Sequence, residues 1–375
     1  MKIEKFGVEY WMDRYETTCR YNLAETCVDS ISVNQLKELV AGDEEALKTL
    51  ESLTTLRLSY GEIPGNLDFR KGVASLYRNV SLENILSTNG AIGANFLALY
   101  TLVEPMDEVV AVVPTYQQHY SLPQSLGGTV KYLHLRREED FVPDTRRLRE
   151  MVSDRTRVIC LNTPNNPTGQ LIPDEVMTEI IEIARECDAY ILSDEVYRHL
   201  NQEEGYVPSI VDRYEKGIST GSMSKVFSMA GLRLGWMVGP LELMKRAYNV
   251  RHYNMISCGM IDEVIGGIAL KHQEKILRRN LGIIRENLKI LDDFVAGEPH
   301  LDYVRPQGGT TALLYYDMPL SSTELCTLLM EEEGIMLVPG DCFDMGRSMR
   351  IGYAFNPLEL KTGLAKLSEF LRRYD

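Results

Sequence analysis

The chain has 375 residues, 44% of them hydrophobic, and a formal net charge of −14 from 54 acidic and 40 basic side chains. That length exceeds what one ordinary core covers and predicts about two domains. The acidic balance excludes the basic footprint that nucleic acid or an anionic membrane surface requires.

Seven cysteines stand apart, at Cys19, Cys27, Cys160, Cys187, Cys258, Cys326 and Cys342, with no Cys-x-x-Cys pair. This reads as reduced thiols in a cytoplasmic protein. No apolar run approaches the roughly 20 residues that span a bilayer, and the charged opening Met1 to Tyr10 lacks the apolar core of a signal peptide.

In chain order, Thr88-Asn-Gly90-Ala91-Ile92-Gly93-Ala94 opens an apolar helical stretch. A helix start of this kind offers the N–H groups of Ala91 and Ile92 to an anion. Glu108 to Pro114 holds a continuously apolar run, Val109 to Val113, of the kind that strands buried on both faces show. Val158 to Leu161 leads into Asn162-Thr-Pro-Asn-Asn166-Pro-Thr-Gly169. Pro173-Asp174 then reads as a helix start, with Met177, Ile180, Ile181 and Ala184 at helical spacing. Ala189 to Leu192 runs into Ser193-Asp194-Glu-Val-Tyr197. Gly217 to Thr220 runs into Ser222-Met-Ser-Lys225-Val-Phe-Ser-Met-Ala-Gly-Leu-Arg233-Leu-Gly235.

The alternation of strand and helix from about Glu83 to Pro240 predicts βαβ units, hence a largely parallel sheet with helices on both faces. Gln273 to Ala296 predicts a long helix joining two domains, followed by a strand over Thr310 to Tyr316 and a closing amphipathic helix from about Leu358.

Parallel sheets bind ligands beyond the carboxyl ends of their strands. Asn166, Asp194 and Lys225 each lie just past a predicted strand, so one crevice can receive all three. A lysine at the end of a buried strand is costly unless it is neutral, paired or covalently used. Lys225 is therefore a candidate for Schiff-base chemistry.

In this order and spacing, the Asn-Asn-Pro-Thr-Gly, Ser-Asp-Glu-Val-Tyr and Ser-x-Ser-Lys motifs, the last with its Gly-x-Arg-x-Gly tail, resemble those of the class I/II aminotransferases. These are fold type I enzymes dependent on pyridoxal 5′-phosphate (PLP), and the match extends from Tyr60 to Arg350. The resemblance implies an α/β fold: a mainly parallel seven-stranded sheet sandwiched by helices over 41–280, with 1–40 and 281–375 forming a smaller α+β domain. It also implies a homodimer with shared active sites, acting on an L-amino acid and a 2-oxo acid.

By the same resemblance Lys225 carries PLP and shuttles a proton, while Asp194 pairs with the pyridine nitrogen. Asn166 and Tyr197 hydrogen-bond the phenolic oxygen, and Tyr116 stacks on the ring. Gly90, Ala91, Ile92, Ser222 and Arg233 hold the phosphate, joined by Tyr60 from the neighbouring subunit. Arg350, with Asn166 beside it, takes the substrate α-carboxylate, which a guanidinium grips bidentately. No metal ligand is expected.

Other chemistries share these motifs. Carbon–sulfur lyases, aminocyclopropane-forming enzymes and an arginine-derived cyclase resemble the chain equally in them, and the opening Glu9-Tyr-Trp-Met-Asp-Arg-Tyr-Glu16 resembles that cyclase. No match to the second arginine of dicarboxylate-specific members appears in His252 to Cys258, although Arg251 adjoins it. This favours a neutral or aromatic amino donor over aspartate. Ser222-Met-Ser-Lys225 also fits the S-x-x-K motif of serine hydrolases, with Lys361-Thr-Gly363 downstream. That reading needs a Ser-Asp-Asn element between the two, whereas Ser193-Asp-Glu195 precedes both. A DNA-binding regulator on this fold is opposed by the acidic charge and by the presence of Lys225, Asp194 and Arg350.

Overall fold

The computed structural model describes residues 2–374. Its centre is a seven-stranded sheet built from β1 (Ile85–Thr88), β2 (Glu108–Val113), β3 (Thr129–His134), β4 (Thr156–Asn162), β5 (Tyr190–Asp194), β6 (Gly217–Ser222) and β7 (Gly235–Val238). The spatial order is β1-β7-β6-β5-β4-β2-β3. Only β7 runs antiparallel to its neighbours, β1 and β6; the other pairings are parallel.

Apart from the partly exposed edge strand β3, the strands are largely buried on both faces, and their apolar side chains alternate between two cores. Val110, Val112, Ile159, Leu161 and Ile191 pack on one side, against Met177, Ile180, Ile181 and Ala184 of the helix Asp174–Glu186. Val109, Val158, Cys160, Leu192, Ile218 and Met237 pack on the other, against Ala94, Leu97, Ala98 and Leu102 of the helix Gly90–Leu102. That second helix is apolar almost all round, which suits an element enclosed by the sheet and its neighbours.

Two glycines let β7 meet the start of the helix Gly90–Leu102. A Cβ added to Gly235 would lie 2.4 Å from the Gly90 carbonyl carbon and 2.7 Å from the Ala91 nitrogen. Gly90 has φ +69°, in the left-handed region that glycine adopts without strain. Arg233, at the turn into β7, is also left-handed, with φ 47°.

A second sheet is antiparallel and four-stranded, with Ser348–Gly352 between Val338–Pro339 and Thr311–Tyr316, and Leu301–Tyr303 on the outer side of the latter, and a short parallel pair joins Tyr21–Asn22 to Ile335–Met336. The long helix Gln273–Gly297 and the C-terminal helix Pro357–Leu371 contribute Ile284, Leu288, Leu360, Leu364 and Leu367 to the core that also holds Leu314, Met349 and Ile351. Both helices fall where the apolar spacing predicts them. The N-terminal helix Gly7–Tyr15 is tied at two places. Trp11 Nε1 donates to the Leu337 carbonyl at 2.8 Å, and the Gly7 N–H donates to Gln117 Oε1 at 2.7 Å. These ties hold the first helix across the carboxyl end of the central sheet. Among the described residues, no helix is long and apolar enough to cross a membrane.

Gly235→Ala is expected to lower the free energy of unfolding by about 1–3 kcal/mol, the cost of forcing a methyl into packed backbone. Urea unfolding of the apo-protein tests this, and a midpoint equal to that of the parent protein would contradict it.

Candidate active site

A cavity of about 470 Å3 opens beyond the ends of β4, β5 and β6, at the start of the helix Gly90–Leu102. Ten of the twelve residues singled out from the sequence line it: Ala91, Ile92, Tyr116, Asn166, Asp194, Tyr197, Ser222, Lys225, Arg233 and Arg350. Gly90 adjoins the wall as the first residue of the helix. Tyr60 does not reach the cavity of its own chain and is 77% exposed on the surface.

Asp194 ends β5 in buried surroundings, 4% exposed. Asn95 Nδ2 donates to its Oδ2 at 2.8 Å, and the Thr220 hydroxyl fixes Asn95 by donating to Oδ1 at 2.7 Å. His119 Nε2 stands 3.6 Å from the same Asp194 oxygen and has no hydrogen-bond partner. The Val196 N–H donates to Asp194 Oδ1 at 3.2 Å. A turn follows rather than a helix, so Asp194 is not an N-cap. No lysine or arginine pairs with this carboxylate among the described residues.

A polar chain links the end of β4 to the antiparallel sheet. Asn162 Nδ2 donates to the Asp194 carbonyl at 2.9 Å, and Asn162 Oδ1 accepts from the Asn166 N–H at 2.6 Å. Asn166 Oδ1 accepts from Arg350 Nη1 at 3.2 Å. Arg350 Nη2 donates to the Ala24 carbonyl at 3.1 Å, while its Nε has no partner. Arg350 is 3% exposed, so this guanidinium is desolvated with donor capacity left over.

The Lys225 amine projects into the cavity, donating to Thr26 Oγ1 at 2.5 Å and lying 3.4 Å from Cys27 Sγ. Burial pulls this amine down, but the fields of Cys27, Tyr197 and Glu25 outweigh it and hold it above its ordinary value. Burial pushes the Cys27 thiol up to about 11, so it is protonated at neutral pH. Burial also opposes ionisation of Glu25, but Lys225 and the N–H groups of Cys27 and Thr26 hold its carboxyl below the usual range. Tyr197 is raised by burial, against the pull of Lys225 and Arg350, and is therefore an O–H donor. Tyr116 is raised by burial and by Glu9, whose Oε1 accepts its hydroxyl at 2.9 Å.

At the other end, no side chain caps the helix at Asn89, which leaves the N–H groups of its first turn without side-chain partners. Arg233 Nη2 lies 3.0 Å from where a Cβ on Gly90 would stand. The Ser222 hydroxyl accepts from the Ser224 N–H at 3.3 Å. Helix start, hydroxyls and guanidinium together form a place for a dianion.

The model of the family "Aminotransferase class I and II" matches residues 31–367. The chain belongs to this family. A capreomycidine synthase of Streptomyces vinaceus is 32% identical over 94% of this chain and 91% of that protein. An aspartate aminotransferase of Pyrococcus horikoshii is 29% identical over 82% of this chain and 80% of its own length. Among solved structures, a PLP-dependent aminotransferase from Streptococcus suis is 40% identical, with a TM-score of 0.96, over 100% of this chain and 99% of the other.

The family is PLP-dependent, and the cavity suits that cofactor. The uncapped helix start beside Arg233 fits a phosphate. The unpaired Asp194 carboxylate fits a protonated pyridine nitrogen, and the Lys225 amine fits an aldehyde. The Lys361-Thr-Gly363 triplet lies within the helix Pro357–Leu371 and lines no part of the cavity, which removes the serine-hydrolase reading.

Several contributors were not anticipated from sequence: Asn95, Asn162, His119, Thr26, Cys27, and the carboxylates Glu9, Glu16 and Glu25. Asn95 left a trace as a polar residue one turn into an otherwise apolar helix. Glu9, Met12 and Glu16 have the i, i+3, i+7 spacing of one helix face. Thr26 and Cys27 approach Lys225 across some 200 residues of sequence, 199 and 198 positions away, and leave no local signal.

Asn95→Ala is expected to strand one Asp194 oxygen and the Thr220 hydroxyl, at about 1–3 kcal/mol for each orphaned buried group. Urea unfolding of the apo-protein measures the loss, and undiminished stability would show that these contacts hold nothing in place.

Proposed function

We propose that the protein transfers an amino group between an L-amino acid and a 2-oxo acid. The observation that carries this reading is the placement of Lys225. Its amine faces one cavity together with Asp194 and the buried, partly unpartnered Arg350. When bound, PLP draws electron density from the substrate α-carbon into its ring.

Lys225 would hold the cofactor's aldehyde carbon and afterwards carry a proton off and onto the substrate α-carbon. Asp194, braced by Asn95, would keep the ring nitrogen protonated. Asn166 and Tyr197 would direct hydrogen bonds at the phenolic oxygen, with Tyr116 against the ring. Ala91, Ile92, Ser222 and Arg233, beside Gly90, would bind the phosphate. Arg350 would fix the α-carboxylate and so orient the bond that breaks.

The assembly belongs to the same proposal. In a homodimer the exposed Tyr60 would reach the partner's phosphate, so two shared sites form together. Residues 41–280 would form the cofactor-holding part, with 1–40 and 281–375 closing over it, in a cytoplasmic enzyme.

A second reading is favoured by the 32% identity to a capreomycidine synthase over 94% of the chain. On it, the same Lys225 and Asp194 would serve cyclisation or elimination, and no amino group would reach the 2-oxo acid. Incubation with single amino acids and a 2-oxo acid separates the two, since only transamination yields a new amino acid from that 2-oxo acid.

Lys225→Ala is expected to lose the visible absorbance of lysine-linked PLP and at least about a hundredfold in turnover. Turnover within a few fold of the parent would remove the role assigned to Lys225.

A further inference from the structure

One wall of the cavity carries three carboxylates that none of the assigned roles uses. Glu9 and Glu16 come from the same face of the N-terminal helix and its cap, and Glu25 from the segment that supplies Thr26 and Cys27. None forms an ion pair with lysine, arginine or histidine within 4.0 Å among the described residues. Glu16 has no hydrogen bond to its carboxylate either.

The three sit close enough to act on one another. Burial raises the Glu16 carboxyl, and the charges of Glu25 and Glu9 raise it further, against the pull of Lys225. Like charges gathered on one wall with no close ion-pair partner destabilise the site that holds them, and such gatherings mark ligand sites. Independently, the buried Arg350 lines the same cavity with its Nε unpartnered, and the fields of Glu9 and Glu25 bear on it.

The charges of the loaded site follow from the roles above. With the cofactor bound, Lys225 would be taken up in the link to it, Arg233 would face the phosphate, and Arg350 would be matched by the substrate carboxylate. Glu9, Glu16 and Glu25 then have no cation of the protein opposite them. A dicarboxylic substrate would add a fourth negative charge to this wall, and an aromatic side chain would leave the wall uncompensated.

We infer that the amino-acid substrate has a cationic side chain, a guanidinium or ammonium group, held by Glu9 and Glu16 with Glu25 behind them while Arg350 holds the other end. This rests on the amino-acid reading of the cavity and replaces the neutral or aromatic donor expected from sequence. Glu9 and Glu16 are thereby specificity-determining residues.

The test uses carboxylates without an α-amino group, which bind but cannot react. Binding of γ-guanidinobutanoate, hexanoate and adipate to the PLP-loaded enzyme is measured by titration calorimetry, for the parent and for the double variant Glu9→Gln, Glu16→Gln. Both glutamates are exposed, and a thermal-unfolding midpoint matching the parent's establishes that the double variant is folded.

The guanidino acid is expected to bind about tenfold or more tightly than hexanoate, the scale of charge-assisted hydrogen bonds, with adipate weakest. In the double variant the preference should fall to about twofold or less. Equal binding of the guanidino acid and hexanoate, or a preference that survives the double substitution, overturns the inference.

Amino-group transfer from L-arginine and from L-methionine is read separately. Transfer from methionine without discrimination among the analogues removes the inference and leaves transamination standing. Discrimination among the analogues without transfer from either amino acid supports the cationic site and removes transamination.

Discussion

The cavity depends on one close contact, the passage of Gly235 against the first peptide of the helix Gly90–Leu102. With no side chain between them, the turn from Ser222 to Arg233 lies directly beside an uncapped helix start. The Arg233 guanidinium, the Ser222 hydroxyl and the N–H groups of the helix's first turn thereby reach one anion site. The rest of the cavity is measured from that point. The turn that follows β6 carries Lys225 away from Ser222 and the anion site, and the parallel register of β5 with β6, pairing Asp194 with Thr220, sets where the carboxylate lies. Thr220 in turn orients Asn95, which holds Asp194. Backbone packing thus positions the polar groups before any ligand arrives, as preorganised electrostatics requires.

A second constraint couples the two sheets. Arg350 stands on the antiparallel sheet but donates to Asn166, in the loop just beyond β4 of the central one. Its position therefore reports how the two sheets are set against each other. The first helix is anchored to both sides as well, through Leu337 and Gln117. On the proposed roles, the groups for substrate would sit on elements that bridge the sheets, while those for the cofactor would sit on the central sheet's helix start and on the turns that follow its strands. PLP chemistry is common to the family, so on the proposed reading the choice among amino acids would fall to the bridging wall, where Glu9 and Glu16 are found.

The parts legible in the sequence are those whose signals are local. Continuous apolar runs mark β2, β4 and β5 because strands covered on both faces need no polar side chain. The motifs after β4, β5 and β6 lead to Asn166, Asp194 and Lys225 because each residue follows its strand within a few positions. What escaped notice depends on contacts distant in sequence. His119 reaches Asp194, and Thr26 and Cys27 reach Lys225, only once the sheet order is known. The acidic wall had a local trace in the spacing of Glu9 and Glu16, yet exposed glutamates on a helix are ordinary until the fold brings them beside a cavity.

The central claim is that Lys225 is the residue that binds PLP covalently, and it is tested most directly by locating the linkage. The PLP-loaded protein would be reduced with borohydride, digested, and its peptides mapped by mass spectrometry. The account predicts a single phosphopyridoxyl group on the peptide that contains Lys225. The same group on another lysine, or on none, would contradict it.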